Sequence, residues 1–89
     1  MMKKATDYST ITLCEDHVCF GGMQLIYRLL LLPGDVMHQY SISISLGGET
    51  CEADTGNELL RALEHYQRIR EGRVTPCGLE DVMQELRYA

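Results

Sequence analysis

The sequence predicts an α+β fold: an antiparallel four-stranded β meander followed by two helices packed on one face of the sheet. Three observations predict it. Between residues 8 and 54 apolar and polar residues alternate, the period of half-buried strands. Glycine pairs and a Pro-Gly-Asp step interrupt that alternation where turns are needed. From residue 55 the apolar spacing becomes i, i+3, i+4, i+7, one face of a helix.

Residues 1–7 are expected to be a loose tail, and residues 8–89 a single domain. YSTITLC, residues 8–14, is rich in β-branched and aromatic types and predicts the first strand. Glu15-Asp16 is polar and is expected to turn. His17 to Phe20 then begin the return strand, with Ile11 and Leu13 on the side of Val18 and Phe20. Across Gly21-Gly22 the apolar positions change from even to odd numbers: Met23, Leu25, Tyr27, Leu29 and Leu31. That change flips a strand's faces unless an extra residue is absorbed. The glycines therefore predict a β-bulge in one long bent strand over roughly residues 17–32. The alternative is a true loop there and two separate strands.

Pro33-Gly34-Asp35 is a turn sequence. Residues 36–46, VMHQYSISISL, follow as a strand with Tyr40, Ile42, Ile44 and Leu46 on one side and Ser41, Ser43 and Ser45 on the other. Any even-length loop at Pro33 places Met23, Leu25, Tyr27 and Leu29 on the face of those apolar residues. Gly47-Gly48 is a two-residue hairpin signal. It pairs Leu46 with Glu49, Ile44 with Cys51 and Ile42 with Ala53. Cys51 and Ala53 then join the core face, Thr50 and Glu52 face water, and the strand ends at Asp54.

Thr55-Gly56-Asn57-Glu58 fits a capping box, threonine as cap and glutamate three residues on. The helix it opens, residues 55–71, carries Leu59, Ala62, Leu63, Tyr66 and Ile69 on its apolar side. Glu58, Arg61, Glu64, His65 and Arg68 fall opposite. Gly72 is the expected stop, and Arg68, Arg70 and Arg73 cluster where the helix dipole favours cations. Thr75-Pro76 begins a second helix. Its stripe is Leu79, Val82, Met83 and Leu86; Glu80, Asp81 and Glu85 face water.

The chain has 89 residues, enough for one domain that buries only roughly 60–65% of its unfolded surface. A hydrophobic fraction of 45% argues against disorder along the whole chain. Eight basic and 13 acidic side chains give a net charge of −5, which opposes binding to nucleic acid or to an anionic membrane. The lysines near the start have no apolar run behind them, so no secretory signal is expected. Leu29–Leu32 is too short to span a bilayer. A cytoplasmic protein with Cys14, Cys19, Cys51 and Cys77 reduced is the expectation.

The chain's second half also carries a recognisable pattern, GRVTPCGLEDVMQEL. With the strands and leucine-rich helix before it, this resembles a family of small bacterial proteins known only as a domain of unknown function. The matching residues are Val74, Thr75, Pro76, Leu79, Glu80, Asp81 and Val82. The resemblance covers roughly residues 24–88 and implies the same fold. It implies no activity and no site residue.

Cys14, His17 and Cys19 lie close in sequence, and Cys51 could approach through the sheet. Zinc takes sulfur and nitrogen ligands, but C-x2-H-x-C lacks the paired C-x2-C knuckles of structural zinc sites. Semi-buried cysteines and a turn histidine explain them as well. Cys77, in the first turn of the last helix, is a thiol with no histidine near it in sequence. His65 reads as solvated on the polar helix face; His38 shares parity with Tyr40 and is expected to be partly covered. Neither has a carboxylate placed to form a dyad. Arg61, Arg68, Arg70 and Arg73 suit either RNA or a solvated face, and no aromatic residues alternate with them. The glycine pairs form no phosphate loop.

No catalytic residue and no cofactor is expected. The most informative remainder is the far side of the sheet. Ile26, Leu30, Leu32 and Met37 point away from the helices beside Ser41, Ser43 and Ser45, and an apolar patch there suits a partner or a second copy. The sequence is thus read as a non-enzymatic interaction or regulatory module, homodimeric through that face. The alternatives are a metal- or thiol-dependent protein using Cys14, His17, Cys19 and Cys51, and an RNA-binding module using the arginine-rich helix end.

Overall fold

The computed structural model describes residues 10–34 and 36–87. The expected tail, the strand start at Tyr8 and Ser9, and the turn residue Asp35 lie outside the described residues. Four strands, β1 (Ile11–Phe20), β2 (Met23–Leu32), β3 (Gln39–Leu46) and β4 (Glu49–Asp54), form one antiparallel sheet in the order β1-β2-β3-β4. Helices α1 (Leu59–Glu71) and α2 (Leu79–Arg87) follow, with a 3-10 turn at Pro76–Gly78 between them. No helix of the described residues is long and apolar enough to cross a membrane.

The first hairpin departs from the sequence expectation. Gly21-Gly22 is no bulge but the turn itself, with φ of 56° and 81°. Two consecutive positive φ values match the right-handed twist of a two-residue hairpin, and glycine adopts them without strain. Glu15 and Asp16 therefore do not turn; they lie inside β1, opposite Arg28 and Tyr27. A two-residue hairpin exchanges even and odd numbers across the turn by itself, which accounts for the parity change. The irregularity sits elsewhere, between Thr12 and Cys14, where Leu13 is the extra residue. It returns Ile11 to the face of Leu31.

The other two hairpins follow the expected registers. Leu25, Tyr27, Leu29 and Leu31 stand opposite Leu46, Ile44, Ile42 and Tyr40. Ile44 pairs with Cys51 and Ile42 with Ala53. This inner face carries the core: Leu25, Tyr27, Leu29, Ile42 and Ile44 are fully buried against Ala62, Tyr66 and Ile69 of α1 and Leu79 and Met83 of α2. Each fully buried aliphatic side chain contributes about 1.5–3 kcal/mol. α1 lies over β2 and β3, α2 over β4, and both sit on this one face. Cys51 shares its parity but is exposed on the short edge strand.

Both helix starts differ from expectation. Glu58, not Thr55, precedes the first turn of α1, and no side chain caps it. Thr55 continues the alternation of β4: its N–H donates to the Tyr40 carbonyl, and the Tyr40 N–H donates to Gly56. After Cys51 and Ala53, Thr55 is thus the next inward position, and it faces the helix instead of capping it. At the other end Gly72 is right-handed, and the left-handed residue is Arg73, with φ 53°. The N–H groups of Arg73 and Val74 return to Arg70 and Ile69 at 3.2 Å, a Schellman closure with arginine where glycine is usual. The Thr75-Pro76 step opens the 3-10 turn, not α2 directly, so Cys77 lies before α2, exposed.

Candidate functional site

The buried stripe of α1 is Ala62, His65, Tyr66 and Ile69; Leu63 packs at its margin and Leu59 is exposed. His65 was expected in solvent and is 6% exposed. Its Nδ1 lies 2.6 Å from the Thr55 hydroxyl, itself buried. One of the two donates, according to the ring tautomer. The pair couples the end of the sheet to the middle of α1. Burial, and next to it the Arg61 guanidinium, pushes the imidazole below its ordinary pKa, with Arg87 and Arg68 acting the same way and Glu64 opposing. His65 is the floor of a neighbourhood in which Arg61 and Arg87 are set among Asp54 and Glu58.

Above that floor an open cleft of about 660 Å³ lies between the start of α1 and the end of α2. Asp54, Gly56, Glu58, Arg61, His65 and Arg87 line it. Arg87 is held in place: its Nη2 donates to the Asp54 carbonyl at 2.8 Å, and its Nη1 stands 3.9 Å from Glu80. The Gly56 N–H donates to the Asp54 carboxylate at 3.1 Å. Arg61 makes no ion pair or hydrogen bond among the described residues. A smaller crevice shares Arg61 and His65 and continues toward Arg68 and Leu86.

The same end of the molecule is apolar on its outside. Val36 is 91% exposed and Leu60 78%, with Met37 and Leu59 about half exposed. Asn57 joins the two segments, its Nδ2 donating to the Met37 sulfur at 2.7 Å. The β2–β3 loop and the first turn of α1 thus both carry exposed apolar side chains, joined through Asn57, which itself lines the cleft.

On the other flank of α1, the Tyr66 hydroxyl donates to Asp16 Oδ2 at 2.7 Å, with the Tyr27 carbonyl 3.1 Å away. Burial and then the Asp16 carboxylate push the Tyr66 phenol far above its ordinary pKa. Arg70 Nε stands 3.7 Å from the same carboxylate and is buried without a hydrogen bond. The Tyr27 hydroxyl donates to the Val74 carbonyl at 3.0 Å. Arg70 therefore turns to the sheet, while Arg61 and Arg68 face the α2 side; the arginines of the helix do not form one patch.

The four metal candidates are not brought together. Cys14 lies on the inner face of β1, His17 and Cys19 on its outer face, and Cys51 on β4 at the opposite edge of the sheet. Glu15 occupies His17, 2.7 Å from its Nε2, and accepts from Arg28 Nε at 2.8 Å. Those two neighbours hold the Glu15 carboxyl below its ordinary pKa. Among the described residues no three His, Cys, Asp or Glu side chains are grouped to hold a metal ion. His38 is exposed in the loop before β3, not partly covered.

The partner candidates divide. Leu30 keeps only 8% of its surface and Ile26 is half-covered, in a face that also carries the Glu15–Arg28 pair and the serines. Leu32 and Met37 are exposed, at the apolar end. The residues missed in the sequence are Asp16, Thr55, His65 and the placing of Arg61 and Arg87, from two helices, in one cleft. A signal existed for His65, which lies at i+3 from Ala62 and i−4 from Ile69, inside the stripe. Compared with known proteins, the chain matches no family model, no curated protein and no solved structure.

Proposed function

We propose that the chain is a non-enzymatic protein-interaction module of the cytoplasm, and that it meets its partner with the end formed by the β2–β3 loop and the first turn of α1. The observation that supports this is the group Val36, Met37, Leu59 and Leu60, apolar side chains left outside the core on adjoining segments. Sealing Val36 and Leu60 from water would contribute about 1.5–3 kcal/mol each. The far sheet face offers less, because Leu30 is already covered. Of the residues first suggested for partner binding, Leu32 and Met37 carry over to this end.

Light scattering on the purified protein and capture of the native partner test the reading together. A stoichiometric complex is expected with the wild type and with Ile26→Glu, and is expected to be lost on Leu60→Glu or Val36→Glu. Both of the latter positions are exposed, so the thermal midpoint should hold. Loss on Ile26→Glu with retention on Leu60→Glu would move the interface to the sheet face. Dimerisation that depends on Ile26 would replace the foreign partner by a second copy.

A further inference from the structure

The cleft beside the apolar end combines groups that the fold does not use up. His65 is nine-tenths buried and gives Nδ1 to Thr55, which leaves Nε2 without a hydrogen bond among the described residues. Arg61 has no partner among the described residues, and Arg87 is oriented from behind by the Asp54 carbonyl. Two carboxylates, Asp54 and Glu58, line the same cleft. Two cations set against two anions do not favour a dianion such as phosphate. They suit a monoanion that also brings its own N–H donors. Exposed apolar side chains stand at the same end: Leu60, on α1, follows the cleft residues Asn57 and Glu58, and Asn57 bonds Met37 of the β2–β3 loop.

A peptide's last residue has that chemistry: a carboxylate, a backbone N–H beside it and one side chain. We propose that the cleft binds the free C-terminus of a partner chain ending in an aliphatic residue. Arg61 and Arg87 take the carboxylate, Glu58 accepts the terminal N–H, and Leu60, the exposed neighbour of Arg61 on α1, covers the side chain. Planar guanidinium groups suit a carboxylate because both oxygens can be bonded at once. This rests on the interaction reading above and adds the partner's chemistry to it.

The experiment is a titration of the whole chain, ¹⁵N-labelled, with acetyl-Gly-Gly-Leu as the free acid and as the C-terminal amide. The free acid is expected to give saturable shifts at the Gly56 and Asn57 N–H groups and at the His65 ring. The amide is expected to bind at least tenfold more weakly, and Arg61→Gln should bring acid and amide level. Arg61 is exposed, so a retained spectrum verifies the fold of that variant. Equal binding of acid and amide overturns the proposal, as does the absence of saturable shifts at millimolar peptide. Inorganic phosphate displacing the peptide at lower concentration than acetate also overturns it. If acid and amide bind alike and Leu60→Glu abolishes both, the carboxylate site falls while the apolar interaction end stands. If Leu60→Glu changes neither, and partner capture is equally untouched, the interaction reading falls as well.

Discussion

His65 and Tyr66 are neighbours on α1, and they fasten the helix to the sheet in different ways. Tyr66 reaches β1. Its ring lies in the core, its hydroxyl meets the Asp16 carboxylate and the Tyr27 carbonyl, and Arg70 stands behind that carboxylate. Every partner belongs to the chain. His65 reaches the end of β4, spends one ring nitrogen on Thr55 and borders a cleft with the rest. The first flank is closed and the second is open. A thin domain gains stability from the closed flank, and the open one leaves hydrogen-bonding capacity for something outside the chain.

The largest effect should come from breaking the closed flank. Tyr66→Phe keeps the ring and removes the bond to a charged acceptor, leaving Asp16 with Arg70 alone. A loss of about 2–3 kcal/mol is expected in urea unfolding, since hydrogen bonds to charged groups contribute about 1.5–3 kcal/mol. Asp16→Asn added to it should recover part of that loss, because the stranded charge is gone. A Tyr66→Phe loss below about 0.5 kcal/mol would show that the flank is not closed by that bond.

On the open flank a smaller loss is expected. Thr55→Val leaves His65 Nδ1 buried without its partner, at about 1–2 kcal/mol. Adding His65→Leu should make the double variant nearly as stable as the wild type, since both members of the pair become apolar. A Thr55→Val loss equal to that of Tyr66→Phe would erase the distinction between the flanks.

The two neighbours should also respond to pH in opposite directions. The folded His65 has its pKa below the ordinary 6.5, so the fold favours the neutral ring. Above that value neither state takes a proton and the stability is complete. As the pH falls below it the unfolded chain protonates first, so stability drops until the folded ring titrates too. The wild type should lose more stability than His65→Leu between about pH 7 and 5. Tyr66 is the reverse: its phenol is raised above the ordinary 10. Its contribution is complete below that pH and is lost as the unfolded phenol ionises above it. Tyr66→Phe should soften that alkaline loss without removing it, because burial raises the Tyr27 phenol as well. Urea midpoints across pH for the wild type and both variants give the comparison.

What was legible in the sequence follows from what is local. The β2–β3–β4 registers were readable because two-residue and even-length turns fix parity, and the apolar pattern agrees with them. Gly21-Gly22 was ambiguous because a two-residue turn and a bulge both exchange parity. The deciding fact was whether Asp16 could face inward. That depends on Tyr66, a residue far along the chain whose hydroxyl accommodates the carboxylate. Parity put Ile26 and Leu30 on the outer sheet face, opposite Ser45 and Ser41, but it does not report how much of Leu30 its neighbours cover. It failed for Met37, which lies before β3 in a loop that bonds Asn57. Thr55 was readable in principle: inward Ala53 implies inward Thr55 if β3 continues to pair, and the capping-box pattern masked that. The cleft was not readable at all, because Arg61 and Arg87 come to line it together only through the packing of α2 beside α1.

The smallest effect concerns the end of α1 that neither flank uses. Arg73 holds a left-handed φ of 53° that a side chain adopts at a cost of about 1–2 kcal/mol and glycine does not. Against that relief, glycine gives the unfolded chain additional freedom worth about 0.4–1 kcal/mol. Arg73→Gly should therefore stabilise the protein by roughly 0.5–1 kcal/mol. The Schellman closure lies at the opposite end of α1 from Thr55, so Arg73→Gly and Thr55→Val should add within about 0.5 kcal/mol. A larger deviation in that double variant would mean that α1 transmits strain from one end to the other, and the open flank would then not be independent of how the helix terminates.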